Sequence, residues 1–263
     1  MFQFGPIFEH ATPYMLVLIR ISGIFLAAPA ISGFMIPIRI KALLVVMFTA
    51  AIYPAVSITS DVPQGVDLIT IAPVIATELL IGLTIGLLAM LPLMGVQLAG
   101  MLAGYQMGLA MARAFDPNSG TDSVVVGQLL YYLAFGAFLT MGGLDHLFLA
   151  VVNTFERVPI GGFWFDQAPL ETFVGTLTAA FVLGIRIAAP IVAIIMLIMV
   201  SMGFIMKTMP QINVLTIGFA IKIIVGLMVM AMSITMIERA AGEEVERVLI
   251  LILDWTASLG PSL

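Results

Sequence analysis

The chain has no cysteine. That excludes a disulfide framework, a thiolate nucleophile and any metal site built on sulfur. Histidine is almost as scarce: His10 and His146 are the two in 263 residues, and no H-E-x-x-H pair places zinc ligands on one helix face. His146 follows Asp145, but adjacent residues rarely aim at one point, so a loop or interface position is expected rather than a catalytic dyad. No G-x-x-x-x-G-K-[ST] occurs, so P-loop nucleotide chemistry is not expected. Serines are present, yet none has an obvious base beside it. The expectation is a protein with no catalytic residues, no cofactor and no metal. Charge is low as well, at 10%, where an ordinary soluble domain carries about a quarter. Ten scattered Lys and Arg and a net charge of −5 offer no footprint for nucleic acid.

Apolar residues fill the space left by these absences. They make up 62% of the chain, and the mean hydropathy is +1.18. A soluble fold of this size could not hide so much apolar surface, which makes membrane lipid the natural solvent. Residues 14–36 form the first apolar run, broken by Arg20. The residues before it hold Glu9 and His10 and no Lys or Arg, so it is read as a retained segment rather than a cleavable signal. Residues 42–58 form a second run, closed by the turn-rich 59–65. The third, 68–112, is 45 residues long with one charge, Glu78. A straight helix of that length measures about 68 Å against about 30 Å of hydrocarbon. It is expected to bend, kink or project from the bilayer, with Pro92 as the break. Further runs cover 124–152, 172–206 and 211–237, with 155–171 read as a loop. The runs are too long for barrel strands, and lipid demands an internally satisfied backbone, so helices remain. The expected fold is an all-α membrane protein with about six to eight helical passes or half-passes. It forms a single domain over 1–263, with an internal polar loop at 113–123 and a charged-then-apolar C-terminal helix at 238–263. Arg39 and Lys41, Lys207 and the basic residues of 239–247 mark candidate cytoplasmic ends, without settling the orientation.

Several features go beyond a generic membrane protein. Arg20, Glu78, Arg186 and Lys222 lie inside apolar runs, where a charge at a helix centre costs about 2.5–3.5 kcal/mol. Three are cationic and one anionic, so pairing within the chain neutralises at most one cation. Snorkelling to an interface and burial within an assembly are the two readings for the others. Gly100, Gly104 and Gly108 recur at i, i+4, and Gly82 and Gly86 do the same upstream. Such spacing lets helix backbones approach closely, although membrane helices are glycine-rich in general. Met196, Met199, Met202, Met206 and Met209 form a helical stripe, and Met107 and Met111 lie at i, i+4. Thioethers suit a soft core or lipid face, or an adaptable seal. The polar stretch Arg113-Ala114-Phe115-Asp116-Pro117-Asn118-Ser119-Gly120 carries strong turn residues. It reads as a surface loop, or as non-helical backbone enclosed by protein at membrane depth.

The residues also resemble a known family. The carriers are Arg20-Ile21-Ser22-Gly23, Glu78-Leu79-Leu80-Ile81-Gly82-Leu83 with Gly86, and Gln97-Leu98-Ala99-Gly100. They continue through Gly104-Tyr105-Gln106-Met107-Gly108-Leu109-Ala110 into Phe115-Asp116-Pro117, then Met209-Pro210-Gln211-Ile212-Asn213-Val214 with Gly218-Phe219 and Lys222. In order and spacing these are similar to the FliR/SctT family of type III secretion export-gate subunits, over nearly the whole chain, and the run into Asp-Pro is more flagellar than injectisome-like. The resemblance implies kinked helical hairpins within a larger helical export-gate assembly. It implies FliP- and FliQ-type partners, association with FlhB- and FlhA-type components, and unfolded flagellar proteins as cargo. The expected location is the bacterial inner membrane at the flagellar basal body. By resemblance, 113–123 takes the role of a pore plug, with Arg113, Phe115, Asp116, Pro117 and Asn118 in it and Met107 and Met111 beside it. Pro210, Gln211 and Asn213 match the family motif. The excess cations would meet acidic groups on partners, and the glycines would pack one helix or subunit on the next. A secondary transporter using Glu78 and Arg186 is the alternative of a different class, disfavoured by the lack of an internal repeat.

Overall fold

The computed structural model describes residues 5–29, 37–56, 68–109, 125–161, 168–209 and 214–258. Among them there is no strand. In chain order the helices are α1 (Gly5–Ala27), α2 (Ile38–Ile52) with a 3₁₀ turn at Tyr53–Ala55, α3 (Leu68–Met107) and α4 (Val125–Thr140). Then follow α5 (Gly143–Arg157), α6 (Ala168–Thr208), α7 (Val214–Met232) and α8 (Ile234–Ser258). This is an all-α membrane protein. Two helices are long and apolar enough to cross a bilayer, over Ile71–Met107 and Leu170–Thr208, and up to four spans result if α4 with α5 and α7 with α8 each count as one. The eight described helices are the passes or half-passes that the apolar runs foretold.

Local signals set the ends. Pro37 stands immediately before α2, where its missing N–H costs nothing. Gly108 ends α3 with φ +84, its N–H reaching back to the Tyr105 carbonyl at 3.0 Å; glycine takes this left-handed conformation without steric cost. Gly142, at φ +69, separates α4 from α5. Ser233 marks the bend of 57° between α7 and α8, its N–H shared between the Val229 and Met230 carbonyls. Burial then follows the helical period. Val126, Leu130, Ala134 and Phe138 are the inner stripe of α4, and Leu147, Ala150, Val151, Thr154 and Phe155 that of α5. In α8, Ile237, Ala241, Val245, Val248, Ile252 and Trp255 are buried, while Glu238, Arg239, Glu243, Glu246 and Arg247 face outward. Ile234–Ser258 is one amphipathic helix, with most of its charged residues on the outer face and Glu244 buried.

Three expectations are corrected. Pro92 does not break α3, which is helical from Leu68 to Met107. The helix continues through Pro92 although its ring removes one backbone hydrogen bond, and Leu91, Pro92 and Leu93 are all buried there. The first helix begins at Gly5 and ends at Ala27, displaced from the apolar run 14–36. The presumed loop 155–171 is helical at both ends, because the apolar stripe of α5 continues to Phe155 and α6 starts at Ala168.

The chain divides into two compact units. The first comprises 1–91, 141–176 and 246–263, and the second 92–140 and 177–245. In the first, α1 packs on α3 through glycine. A Cβ on Gly23 would lie 2.6 Å from the Leu79 carbonyl oxygen, one on Gly82 would strike the Arg20 carbonyl, and one on Gly86 would lie 2.8 Å from the Ala28 nitrogen. Phe25, Phe48 and Phe148 tie α1, α2 and α5, with Phe48 stacked on Phe148 at 4.4 Å. In the second unit, Gly95 of α3 meets Ala180 of α6, Gly184 meets the Gly95 carbonyl, and Gly100 meets Gly127 of α4.

Candidate functional site

The first unit holds the most concentrated polar chemistry among the described residues. Arg20 sits on the face of α1 that Gly82 lets approach α3, and its backbone and side chain are both engaged there. Its side chain has no exposed surface and Glu78 has 1%. Arg20 Nε donates to Glu78 Oε2 at 2.5 Å. Nη1 donates to Thr154 Oγ1 and, with Nη2, to the Val158 carbonyl, all at 3.3 Å. The guanidinium carbon lies 4.3 Å from the centre of the Phe155 ring. The second carboxylate oxygen, Glu78 Oε1, accepts the Gly161 N–H at 3.0 Å; Gly161 has φ +80. A buried charge pair is tolerable when its remaining donors and lone pairs are satisfied, and here they are met by a hydroxyl, a carbonyl and an amide. Val158 also follows the last residue of α5, so the cation rests on the negative end of that helix dipole.

The second unit holds a looser cluster where α3 ends. A Cβ on Gly108 would lie 2.6 Å from Phe219 Cε1, and one on Gly226 would lie 2.7 Å from the Met107 side chain. Lys222 Nζ stands 5.1 Å from the Phe219 ring centre, a cation–π distance. Met107 is fully buried, so it packs α3 onto α7. Arg186 is exposed near the middle of α6. Neither Arg186 nor Lys222 has a carboxylate partner among the described residues.

Of the four charges inside apolar runs, the structure brings together Arg20 and Glu78. Gly82, Gly86 and Gly100 lie at close helix contacts, and Gly104 is buried. Gly108 does not continue their face, since it turns out of the helix. Met196, Met199, Met206 and Met209 are exposed on or just after α6, and Met202 reaches Gly218 of α7. Met111, Arg113, Phe115, Asp116, Pro117 and Asn118 lie outside the described residues, as do Pro210, Gln211 and Asn213. Thr154, Phe155, Val158 and Gly161 were not singled out in the sequence. Two of them act through main-chain atoms, which leave no residue-type signal. Asp145 is exposed, and His146 Nδ1 lies 2.9 Å from the Gly142 carbonyl, as a helix-start contact and not a dyad. No group of three or more metal-binding side chains forms among the described residues. The transporter alternative needs Glu78 free to bind; the carboxylate is instead enclosed by Arg20 and Gly161.

Comparisons with known proteins extend this picture. The family model described as "Bacterial export proteins, family 1" matches residues 11–248. Flagellar biosynthetic protein FliR of Escherichia coli (strain K12) is 29% identical over 218 residues, 83% of this chain and 82% of that protein. Flagellar biosynthetic protein FliR of Bacillus subtilis (strain 168) is 27% identical over 228 residues, 85% and 86% of the two chains. Yop proteins translocation protein T of Yersinia pestis is 24% identical over 254 residues, 95% of each. The family match takes in the buried Arg20–Glu78 pair, the glycine contacts of α3 and the cations of α6 and α7, and the chain belongs to the bacterial export proteins, family 1.

Proposed function

We propose that this chain is a structural subunit of a flagellar type III protein export gate, helping to form and close the channel through which unfolded flagellar subunits leave the cell. The observation that carries this reading is the family match over 11–248, joined by relatives named flagellar biosynthetic protein FliR along more than four fifths of the chain. The physical character of the molecule supports a wall rather than a catalyst. Its most elaborate polar cluster is buried and internally satisfied, and its long helices α3 and α6 carry little charge. The energy for export comes from other components.

On this reading the partners are FliP- and FliQ-type subunits, with FlhB- and FlhA-type components nearby, in the inner membrane at the flagellar basal body. The segment 113–123, with Phe115 as its obstruction and Arg113, Asp116, Pro117 and Asn118 shaping its turn, serves as the plug. Support comes from its sequence and its order after the glycine-rich α3. Pro210, Gln211 and Asn213 match the family motif.

Native purification of the chain co-expressed with FliP- and FliQ-type subunits tests the gate reading. A stable multisubunit complex is expected; a lone monomer that transports a small solute would sink it. Deletion of residues 116–120 tests the plug. Leakage of ions or small molecules through the assembled gate is expected to rise, and unchanged leakage reduces the segment to an ordinary loop.

A further inference from the structure

Among its described residues, the second unit leaves a cation on an apolar helix face with no carboxylate to meet it. Arg186 is exposed on α6, amid Phe181 (53% exposed), Val182 (48%) and Ile185 (60%), with exposed Ala189 one turn on. Residues 187–206 carry no charge, and Lys207 closes the stretch. A guanidinium in such a face needs water, phosphate or a carboxylate.

A bilayer is the rival occupant, because Arg186 and Lys207 are 21 residues apart, about 31 Å of helix against about 30 Å of hydrocarbon. Headgroups would then hold both cations. The neighbouring helix rules against this placement. α6 ends at Thr208 and α7 begins at Val214, and a Cβ on Gly218 would lie 3.6 Å from Met202 Cε, so the two helices run antiparallel. The level of Met202 is five residues from Lys207, about 8 Å. Lys222 is four residues further along α7, about 6 Å deeper. A bilayer bracketed by Arg186 and Lys207 would therefore set the Lys222 backbone close to its mid-plane, and although its ammonium reaches one turn back over Phe219 toward the Lys207 end, it would stay within the hydrocarbon, where a charge is costly. No single bilayer depth sets all three cations at an interface, which favours protein over lipid against this pair of helices.

We infer that the face of α6 formed by Phe181, Val182, Ile185, Arg186 and Ala189 docks an apolar membrane helix of another polypeptide, and that this helix carries an Asp or Glu that pairs with Arg186. Charge complementarity selects the carboxylate, and the large exposed side chains select an apolar surface around it. A second copy of this chain is the nearest rival, since Glu171 is exposed beside Leu170 and Val174, and the identity of the crosslinked chain separates it from another polypeptide. The inference rests on the reading of the chain as one subunit of a larger gate.

The lack of cysteine makes the test direct. A benzophenone maleimide on Ile185→Cys or Ala189→Cys, with Arg186 left intact, is photolysed in native membranes of cells building the apparatus. The crosslink is expected on a different polypeptide, in an apolar helix containing an Asp or Glu. In co-expression with the FliP- and FliQ-type subunits, Arg186→Glu is expected to lower the recovered complex at least about tenfold, and Arg186→Lys to retain it. Reversing the crosslinked helix's carboxylate to Lys or Arg is expected to restore assembly of Arg186→Glu. Crosslinks confined to lipid or to a second copy overturn the proposal, as does full assembly of Arg186→Glu or failure of every carboxylate reversal. Thermal melting of the purified Arg186→Glu chain separates misfolding from lost docking, and if that variant does not fold the crosslink decides. A native-membrane crosslink to some other polypeptide, with no complex formed by the wild-type chain and the FliP- and FliQ-type subunits, would uphold the docking face and overturn the named gate partners.

Discussion

Arg20 carries a full charge into a place with no exposed surface, and four groups account for it: Glu78 Oε2, Thr154 Oγ1, the Val158 carbonyl and the ring of Phe155, while the Gly161 N–H completes the carboxylate. The pair joins α1, α3 and the end of α5, and removing one member strands the other. Arg20→Leu is expected to destabilise the detergent-solubilised protein by about 3–5 kcal/mol, and Glu78→Leu by a similar amount, because each leaves an uncompensated buried charge. The double variant Arg20→Leu with Glu78→Leu removes both charges and is expected to recover most of that loss, as apolar replacements of buried pairs often do. Thermal unfolding of the three variants decides the matter; a double variant no more stable than the worse single one would mean that the polar contacts themselves, rather than the stranded charge, set the cost. The sequence supplied both residues, and the scarcity of anions implied that one cation at most could be neutralised. It could not say which. Arg20 and Glu78 are 58 positions apart, and the atoms that complete the site are partly main-chain. Their arrival depends on where α5 stops and how Gly161 turns, and residue type does not record either.

At the scale of elements, the glycines of α3 receive neighbours within each unit, α1 in the first and α4, α6 and α7 in the second. Gly82 and Gly86 take α1, Gly95 takes α6, Gly100 takes α4, and Gly108 leaves the helix against Phe219 of α7. The i, i+4 spacing made close packing legible. It also made Gly100, Gly104 and Gly108 look like one face for one partner, which they are not: the φ of Gly108 ends the helix before the third step. The helix class of the protein was legible for a firmer reason, since long apolar runs in lipid have no other way to satisfy their backbones. Helix ends were less so. Pro92 passes within α3, and the chain bends by 57° at Ser233 without a proline, so residue type alone does not mark the helix ends. These contacts separate the glycines into two classes. Gly82→Ala would drive a methyl into the Arg20 carbonyl and is expected to cost about 1–3 kcal/mol through overpacking. Gly108→Ala combines a left-handed φ, worth about 1–2 kcal/mol, with a clash on the Phe219 ring. Gly175 and Gly203 have nothing within 4 Å, so alanine there is expected to be neutral or to stabilise the lone chain by up to about 1 kcal/mol. Melting temperatures of the four variants check the ranking, and equal losses at Gly82 and Gly203 would contradict it.

For the whole molecule the telling quantity is the apolar surface left uncovered. Beyond the residues around Arg186, Leu197 (68% exposed), Phe204 (70%), Ile224 (61%) and Met232 (79%) face outward. Apolar exposure on this scale fits surfaces meant for lipid or for other chains. The two occupants differ in what they do to stability. Lipid is present whenever the protein is in a membrane, so it cannot make the folded fraction depend on other gene products. A partner that binds only the folded chain stabilises it by mass action, by about 2.7 kcal/mol at a hundredfold excess over its dissociation constant, and shifts of about 1–2 kcal/mol already change cellular abundance several-fold. The chain expressed alone is therefore expected to fall several-fold in the membrane fraction relative to co-expression with the FliP- and FliQ-type subunits, and to be cut faster by added protease. Arg20→Leu is expected to lower the level in both settings, since its defect lies inside the first unit, whereas Arg186→Glu is expected to lower it in co-expression alone, to the level of the unpartnered wild-type chain. Quantitative immunoblots of the membrane fraction across these six samples read all of it. Equal wild-type levels with and without the other subunits would assign the exposed surface to lipid, and with it the cations of α6 and α7 would have to be held by headgroups or water instead of protein.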